Sequence, residues 1–464
     1  MTRYEYDGLG RLVKGWSPIR SSGTQTPDVQ FSYQQATATS SRTSPAAVTT
    51  KTIKDDGSYV SSVTIYDGLL RPVQTQNEAH GPGRIIADTH YDDHGRTSIV
   101  TSGYLAAGQP TTTLFAPKST TLIPSYVKTQ YDGTGRTVRQ ATYHDGDFKY
   151  ETFTSYGPNT VHVNPPGNTS PATWTTTDAL GRVTEIEQYT DAGQSATRST
   201  RYAYDVRGNR SEVTDPAGNK WTYKYDVRSR IVEATDPDTG TTKTTAYDGA
   251  DRPLVTLDAN GKSLYTTYDV LGRVTAIREG SATASPSKSF TFDAVGALGM
   301  PVTSTRHTAD GDYVTRTTGY TTDYQPTGQD ITIPANAKTA GLSGTYSYIY
   351  GYTPTGKPLS VTYPSKGGIA SEKVVTRYNE DGLPESTSGS SWYTADVTYS
   401  PSATSSAPSP APSPTACGPP TLSTRTPDAS SAPSPTVRPL HLTASPTATT
   451  RTTRPAPSHR IPAS

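Results

Sequence analysis

The chain has 464 residues, a formal net charge of +1 and one cysteine, Cys417. Near-neutral charge gives no electrostatic reason for a nucleic-acid or anionic-membrane partner, and a lone cysteine excludes an intrachain disulfide or a cysteine-based zinc site. Leu, Ile, Val and Phe total roughly 14%, below the ~20% under which a highly charged chain is disordered. The charge half of that signature is missing, and 31 Tyr stand against 6 Phe, whereas disordered chains are poor in aromatics. Tyr supplies apolar area while its hydroxyl reaches a polar partner. No stretch approaches the ~20 apolar residues of a membrane span. Residues 1–25 lack the apolar centre of a signal peptide, so no export signal is expected in the chain as given.

In chain order, one hexapeptide recurs. It reads YDGLGR at Tyr6–Arg11, YDGLLR at Tyr66–Arg71, YDDHGR at Tyr91–Arg96 and YDGTGR at Tyr131–Arg136. It continues as YDVRGN at Tyr204–Asn209, YDVRSR at Tyr225–Arg230, YDGADR at Tyr247–Arg252 and YDVLGR at Tyr268–Arg273. Weaker copies are TDALGR at Thr177–Arg182, FDAVGA at Phe292–Ala297, YTPTGK at Tyr352–Lys357 and YNEDGL at Tyr378–Leu383. Copies between Tyr204 and Tyr268 lie about 21 residues apart, the length of two ~5–6-residue strands and two turns. Residues 201–275 are thus a regular block, flanked by divergent repeats over 1–200 and 276–400.

Each position of the hexapeptide has a mechanical reading. Alternation before it, as in Trp221, Tyr223 and Tyr225, is the period of a strand with one aromatic face. Asp following Tyr can bond backbone amides ahead of it and start a turn. Gly at the fifth position supplies positive φ, and Arg opens the returning strand. The repeat residues singled out on this basis are Tyr6, Asp7, Gly10, Arg11, Tyr131, Asp132, Gly135, Arg136, Tyr204, Asp205, Tyr225, Asp226, Tyr247, Asp248, Tyr268, Asp269, Gly272 and Arg273, all in structural roles. A second turn closes each unit, at Asp215–Gly218, Asp236–Gly240 or Asp258–Gly261. The expected fold is all-β: tandem hairpins in one long twisted sheet, since a single hairpin is marginal alone. With Tyr, Val and Ile on one face and Thr, Lys, Arg and Asp on the other, such a sheet can curl around a space.

Repeated YDxxGR with a ~21-residue period, joined by Thr214–Asn219 (TDPAGN), resembles the RHS/YD-repeat family of rearrangement-hotspot, wall-associated and teneurin-type YD-shell proteins. The resemblance covers about residues 1–400. It implies a hollow β-shell, or cocoon, which in bacterial polymorphic toxins encloses a C-terminal toxin delivered to competing cells. It also implies a secreted or cell-surface location for complete members, and makes carbohydrate or receptor binding a second reading. The array begins mid-repeat at Tyr4 to Asp7 and shows no DPxGL-type closing segment or following toxin domain. The expectation is part of a shell, open at both ends.

After Tyr399 the pattern stops inside a repeat. Residues 401–464 contain no Tyr, Phe, Trp, Glu or Lys; they read as a disordered Pro/Ser/Thr/Ala-rich tail. It is either a stalk or the product of a shifted reading frame. The frameshift is favoured because the change falls within a repeat.

No cofactor, metal or catalytic motif is expected. The histidines, with His144 and His162 the closest in a repeat-poor stretch, lack ligand spacing. Asp145/Asp147, Asp236/Asp238 and Asp310/Asp312 start like calcium loops but lack the remaining ligands, and read as hairpin turns. No GxSxG, Walker, Rossmann or HExxH pattern occurs. Stacking of Tyr and Arg at every repeat reads as cross-strand packing rather than a sugar platform, because a site occurs once or a few times and not twelve.

Overall fold

A computed structural model describes residues 2–410 apart from 21–24, 39–42, 120–122, 168–170, 192 and 402–408. The tail assigned to residues 401–464, Cys417 included, lies outside the described residues except for Pro401 and the short strand Ser409–Pro410. The chain is almost entirely β. Thirty-three strands form one antiparallel sheet, running from Arg3–Tyr6 beside Leu12–Trp16 to Glu372–Tyr378 beside Pro384–Ser388 and on to Trp392–Asp396. With few exceptions each strand pairs with those before and after it in sequence. A small two-stranded hairpin, Thr37–Ala38 with Thr43–Ser44, stands outside this order. The strand Arg84–Tyr91 is flanked on one side by both Thr97–Thr101 and Tyr104–Ala106. The sheet is not closed. Among the described residues the one α- or 3-10-helical element is the turn Ala337–Thr339, capped by the Asn336 side chain; no helix is long and apolar enough to cross a membrane.

The hairpins repeat one irregularity. The pairing slips by one residue at Tyr6, Tyr66, Tyr131, Tyr204, Tyr225, Tyr247 and Tyr268, and again at Tyr352 and Tyr378. A bulge bends its strand and increases the right-handed twist. Placed at every second turn, bulges add in the same sense and coil the strip. The coil comes back on itself. The Asp55 carboxylate, on the turn between Ala46–Ile53 and Tyr59–Tyr66, accepts from the Thr355 amide (3.0 Å) and hydroxyl (2.7 Å), 300 residues later. Lys357 Nζ lies 3.3 Å from the same carboxylate. Nearby, His80 meets Asp381, 301 residues on, and its amide donates to the Pro401 carbonyl at 3.0 Å. The near-constant offset means that one rim of the early coil sits on the YD-turn rim of the late coil.

Such a wall has no central core. Seventeen apolar residues are buried among those described, many of them in three small clusters. One contains Ile86, Tyr104, Ala106 and Ile123; a second Ala47, Val63 and Ile65; a third Val213, Trp221 and Tyr223. The expectation of a single apolar face needs correcting in the first quarter of the sheet. Ile65 pairs across to Gln74, and Ile86 to Gln76, so apolar and amide side chains share one face there. Ile65 and Tyr66 are neighbours on one strand and point to opposite faces. The physical reason is a covering strap. The backbone of residues 109–115 lies across that face and needs polar partners. Gln74 exchanges two bonds with Phe115 (N–H to Oε1 2.9 Å, Nε2 to carbonyl 2.8 Å). Gln76 accepts from Thr111 N–H (2.9 Å) and donates to the Thr113 carbonyl (2.9 Å).

Candidate functional site

The repeated unit is a staple joining each hairpin to the one before. In the first copy, Asp7 N–H donates to the Arg11 carbonyl (2.9 Å) and Gly10 N–H to the Asp7 carbonyl (3.0 Å). The Asp7 carboxylate accepts from the amides of Leu9 and Arg11, both at 2.9 Å, and from Arg11 Nε at 2.7 Å. The same set recurs at Asp132 with Arg136, Asp226 with Arg230, Asp248 with Arg252 and Asp269 with Arg273. At Asp205, Asn209 replaces Arg and its amide donates at 2.9 Å. The fifth position is left-handed throughout: φ is +75° at Gly10, +88° at Gly135 and +85° at Gly272, and still about +60° where Leu70, Ser229 and Asp251 stand there. Backbone donors and the paired Arg hold these carboxylates below the usual Asp range, as at Asp7, where the Arg11 amide is the largest cause.

The arginine then clamps the next hairpin. Arg11 lies over Tyr33 at 4.4 Å, Arg136 over Tyr156 at 4.2 Å, Arg182 over Tyr204 at 4.6 Å, Arg230 over Tyr247 at 4.4 Å and Arg252 over Tyr268 at 4.7 Å. The rung tyrosines, clamped or not, return a bond. The Tyr131 hydroxyl donates to the Thr97 carbonyl (2.7 Å), Tyr204 to Val183 (2.8 Å), Tyr225 to Arg210 (2.8 Å) and Tyr268 to Pro253 (3.0 Å); Tyr247 bonds Ile231. Tyr6 belongs to the first copy, has no such rung and is exposed. Gly272 and Arg273 form the last regular turn, where Arg273 covers Phe292 (4.5 Å) and pairs with Asp293 at 2.7 Å.

Sequence reasoning missed several rungs. Tyr33, Tyr59, Tyr156 and Tyr320 make the same hydroxyl-to-carbonyl bond, at 2.8, 2.6, 3.0 and 2.6 Å, without a following Asp. A Tyr at or near the end of its strand was the available signal for Tyr33, Tyr156 and Tyr320, whereas Tyr59 opens its strand. Of the weaker copies, Thr177–Arg182, Tyr352–Lys357 and Tyr378–Leu383 form the repeat turn. Phe292–Ala297 does not: its strand runs on to Ala294, which pairs with Ala297, and Asp293 takes φ +68°. The second turns at Asp215 and Asp258 have the same backbone bonds as the YD turns, so the two rims share one turn design.

The carboxylate pairs Asp145/Asp147 and Asp310/Asp312 sit in hairpin turns, with Gly146 and Gly311 at positive φ. Asp236 caps its own turn by accepting from the Asp238 and Thr239 amides. Among the described residues no group of three His, Cys, Asp or Glu is placed to hold a metal. His162 stacks on Trp174 at 4.5 Å and His144 meets the edge of Tyr150, so the two are in separate aromatic contacts. One chain of groups resembles a nucleophile, base and orienting acid. Ser289 Oγ lies 2.8 Å from His307 Nε2, and His307 Nδ1 lies 2.9 Å from Asp312. It lacks the rest of such a site. Strands pair on both sides of Ser289, occupying the amides an oxyanion would need, and Asp312 is about half exposed. Its chemistry is cross-strand hydrogen bonding.

Comparison with known proteins agrees with this geometry. The Teneurin YD-shell family model matches residues 171–313. The chain resembles the crystal structure of TcdB2-TccC3, with TM-score 0.69 and 16% identity over 87% of this chain and 24% of that one. The Photorhabdus luminescens Tc holotoxin pore gives TM-score 0.68 and 14% identity, over 87% of this chain and 26% of that one. At such identities the likeness concerns the fold, and the chain spans about a quarter of the length of those structures. No curated protein matches. The RHS/YD resemblance read from the hexapeptides therefore stands, as does the long open β-sheet.

Proposed function

With its central repeats matched to the YD-shell family, we propose that this chain is a non-catalytic wall segment of an RHS/YD shell whose complete form encloses a C-terminal toxin for delivery to competing cells. The observation that supports enclosure is the rim contact of Asp55 with Thr355 and Lys357. A flat strip of hairpins would leave those turns far apart; a strip that coils onto its own rim walls off a space. The staple supports a structural role, because it recurs along the array and turns its Asp, Arg and most of its Tyr side chains onto their neighbours. A wall of this kind belongs to a secreted or surface-delivered protein. Negative-stain electron microscopy of the purified chain tests the reading: curved particles with a stain-filled interior are expected, and solid particles without a lumen would refute it. A second reading, contact with surface carbohydrate, draws support from one local feature outside the staple, an open cleft lined by Tyr346, Tyr348, Tyr363 and Tyr393.

A further inference from the structure

We propose that the rim formed by the YD turns between Asp178 and Leu298 docks a second copy of this chain, through the opposite rim of that copy. The proposal goes beyond the shell reading and does not depend on enclosure of a cargo.

The wall already meets itself in this way. Thr355, fourth residue of its hexapeptide, donates its amide (3.0 Å) and hydroxyl (2.7 Å) to Asp55. Asp381, also a fourth residue, meets His80. The turns that receive them, Lys54–Ser58 and Ala79–Gly83, lie on the rim opposite the YD turns. A YD rim therefore seats on a second-turn rim, with partners 300 and 301 residues apart. That offset gives the YD turns of residues 178–298 no partner turn within this chain.

Their tips are apolar and bare. Leu180, Val206, Val227, Val270, Leu271 and Val295 are each at least 72% exposed. The arginines beside them are occupied along the rim: Arg207 donates to the Asp226 carbonyl (2.9 Å) and Arg228 to Asp251 (3.0 Å). With Ala250 these tips belong to consecutive hairpins. Hairpins follow one another every ~9–10 Å, so the row is about 50 Å long. Single exposed apolar residues are ordinary, whereas a continuous row marks a contact surface.

The opposite rim of the same block supplies the counterpart. Its turns expose Pro216, Ala217, Pro237 and Ala259. Its carboxylates cap their own turns, as Asp215 does on the amides of Ala217 (2.9 Å) and Asn219 (2.8 Å). Both rims advance by two strands per hairpin, so the tips of one copy register with those of the other, hairpin by hairpin. No unrelated partner has that match built in. A contact about 50 Å long and one sheet thickness (~10 Å) deep buries roughly 1,000 Å² in total, the lower bound of a specific interface. That size suits reversible association. Because the two rims differ, the contact is head-to-tail and extends beyond a dimer.

The test is sedimentation velocity of the full chain from about 5 to 300 µM. The weight-average mass should rise from one chain towards two or more. Val206→Asp, Val227→Asp and Val270→Asp combined disable the YD rim; Ala217→Arg with Ala259→Arg disables the opposite rim. Each variant should stay monomeric throughout. Their equimolar mixture should form a 1:1 dimer that grows no further, since one intact rim of each kind remains. Circular dichroism of each variant must match the parent; Val→Ser at the same three positions replaces the Asp set if it does not. A parent that is monomeric at about 300 µM, variants that associate like the parent, or a mixture that stays monomeric overturns the proposal. Association untouched by the rim variants and abolished by Glu5→Pro, in the open first strand, also overturns it, in favour of pairing at the sheet edge. The lumen sought by electron microscopy is independent of each of these results.

Discussion

Replacing rung tyrosines by phenylalanine isolates the hydroxyl half of the staple, because the ring itself is kept, at Tyr204 and Tyr268 beneath an arginine. Tyr204, Tyr225 and Tyr268 each donate one bond, of 2.8, 2.8 and 3.0 Å, to the carbonyl of the previous hairpin. Loss of one such bond costs about 1 kcal/mol. Successive rungs are two strands apart, roughly 9–10 Å, so the three losses add to about 3 kcal/mol. In a quasi-one-dimensional array each loss also acts locally. Hydrogen exchange by mass spectrometry should show amides of the affected hairpins opening about fivefold faster per lost bond, about 1 kcal/mol at room temperature. Hairpins at residues 300–350 should be unchanged. Uniform acceleration along the whole chain, or none at the mutated hairpins, would refute the staple as the unit of cohesion.

Three further outcomes follow from the same geometry. Gly272→Ala should destabilise the array by about 1–2 kcal/mol because φ is +85° there, whereas Ser229→Gly, at φ +61°, should raise the urea midpoint. Gln76→Ala strips buried partners from Arg84 and from the strap at Thr111 and Thr113. It should cost about 2–4 kcal/mol and make residues 109–115 a preferred site of limited proteolysis. The turn carboxylates are depressed when folded; Arg273, then the Gly299 amide, hold Asp293 at about 2. Their contribution is therefore fully present above the unfolded Asp value near ~4 and is lost as pH falls toward the folded value. Circular dichroism should show stability level from pH 5 to 7 and falling between about 4 and 2, with the slope reduced in Asp293→Asn.

Much of the wall was legible because its turn is written in fixed positions. Asp, the residue at left-handed φ and Arg recur in one order, and each does one job in the turn, so hairpin and strand could be read from Tyr6 to Arg273. Residues that lack the Asp hid equivalent geometry: Tyr33 and Tyr156 make the rung without the hexapeptide. The Phe292 copy misled for the opposite reason, since a similar hexapeptide closes as a tighter turn when its strand continues past Asp293. The strap and its glutamines were beyond period-two reasoning. Gln74 and Gln76 sit where alternation places a face, but only the return of residues 109–115 explains amides there. The rim contact is longer in range still. Nothing local to Asp55 points to Thr355; the pairing arises from twist summed over many bulges. The aromatic cleft was obscured by abundance, because its tyrosines look like rungs until their hydroxyl partners are known.

The central claim is that the strip coils onto itself with a repeat of about 300 residues. Asp55 and Lys357 lie 3.3 Å apart across that contact, close enough for a zero-length carbodiimide cross-link. Treating the dilute, monomeric full chain and sequencing its peptides by mass spectrometry should recover Asp55 joined to Lys357. The local pair Lys224–Glu233, 2.8 Å apart within one hairpin, serves as the internal control. Recovery of the control without the Asp55–Lys357 product would contradict the coil.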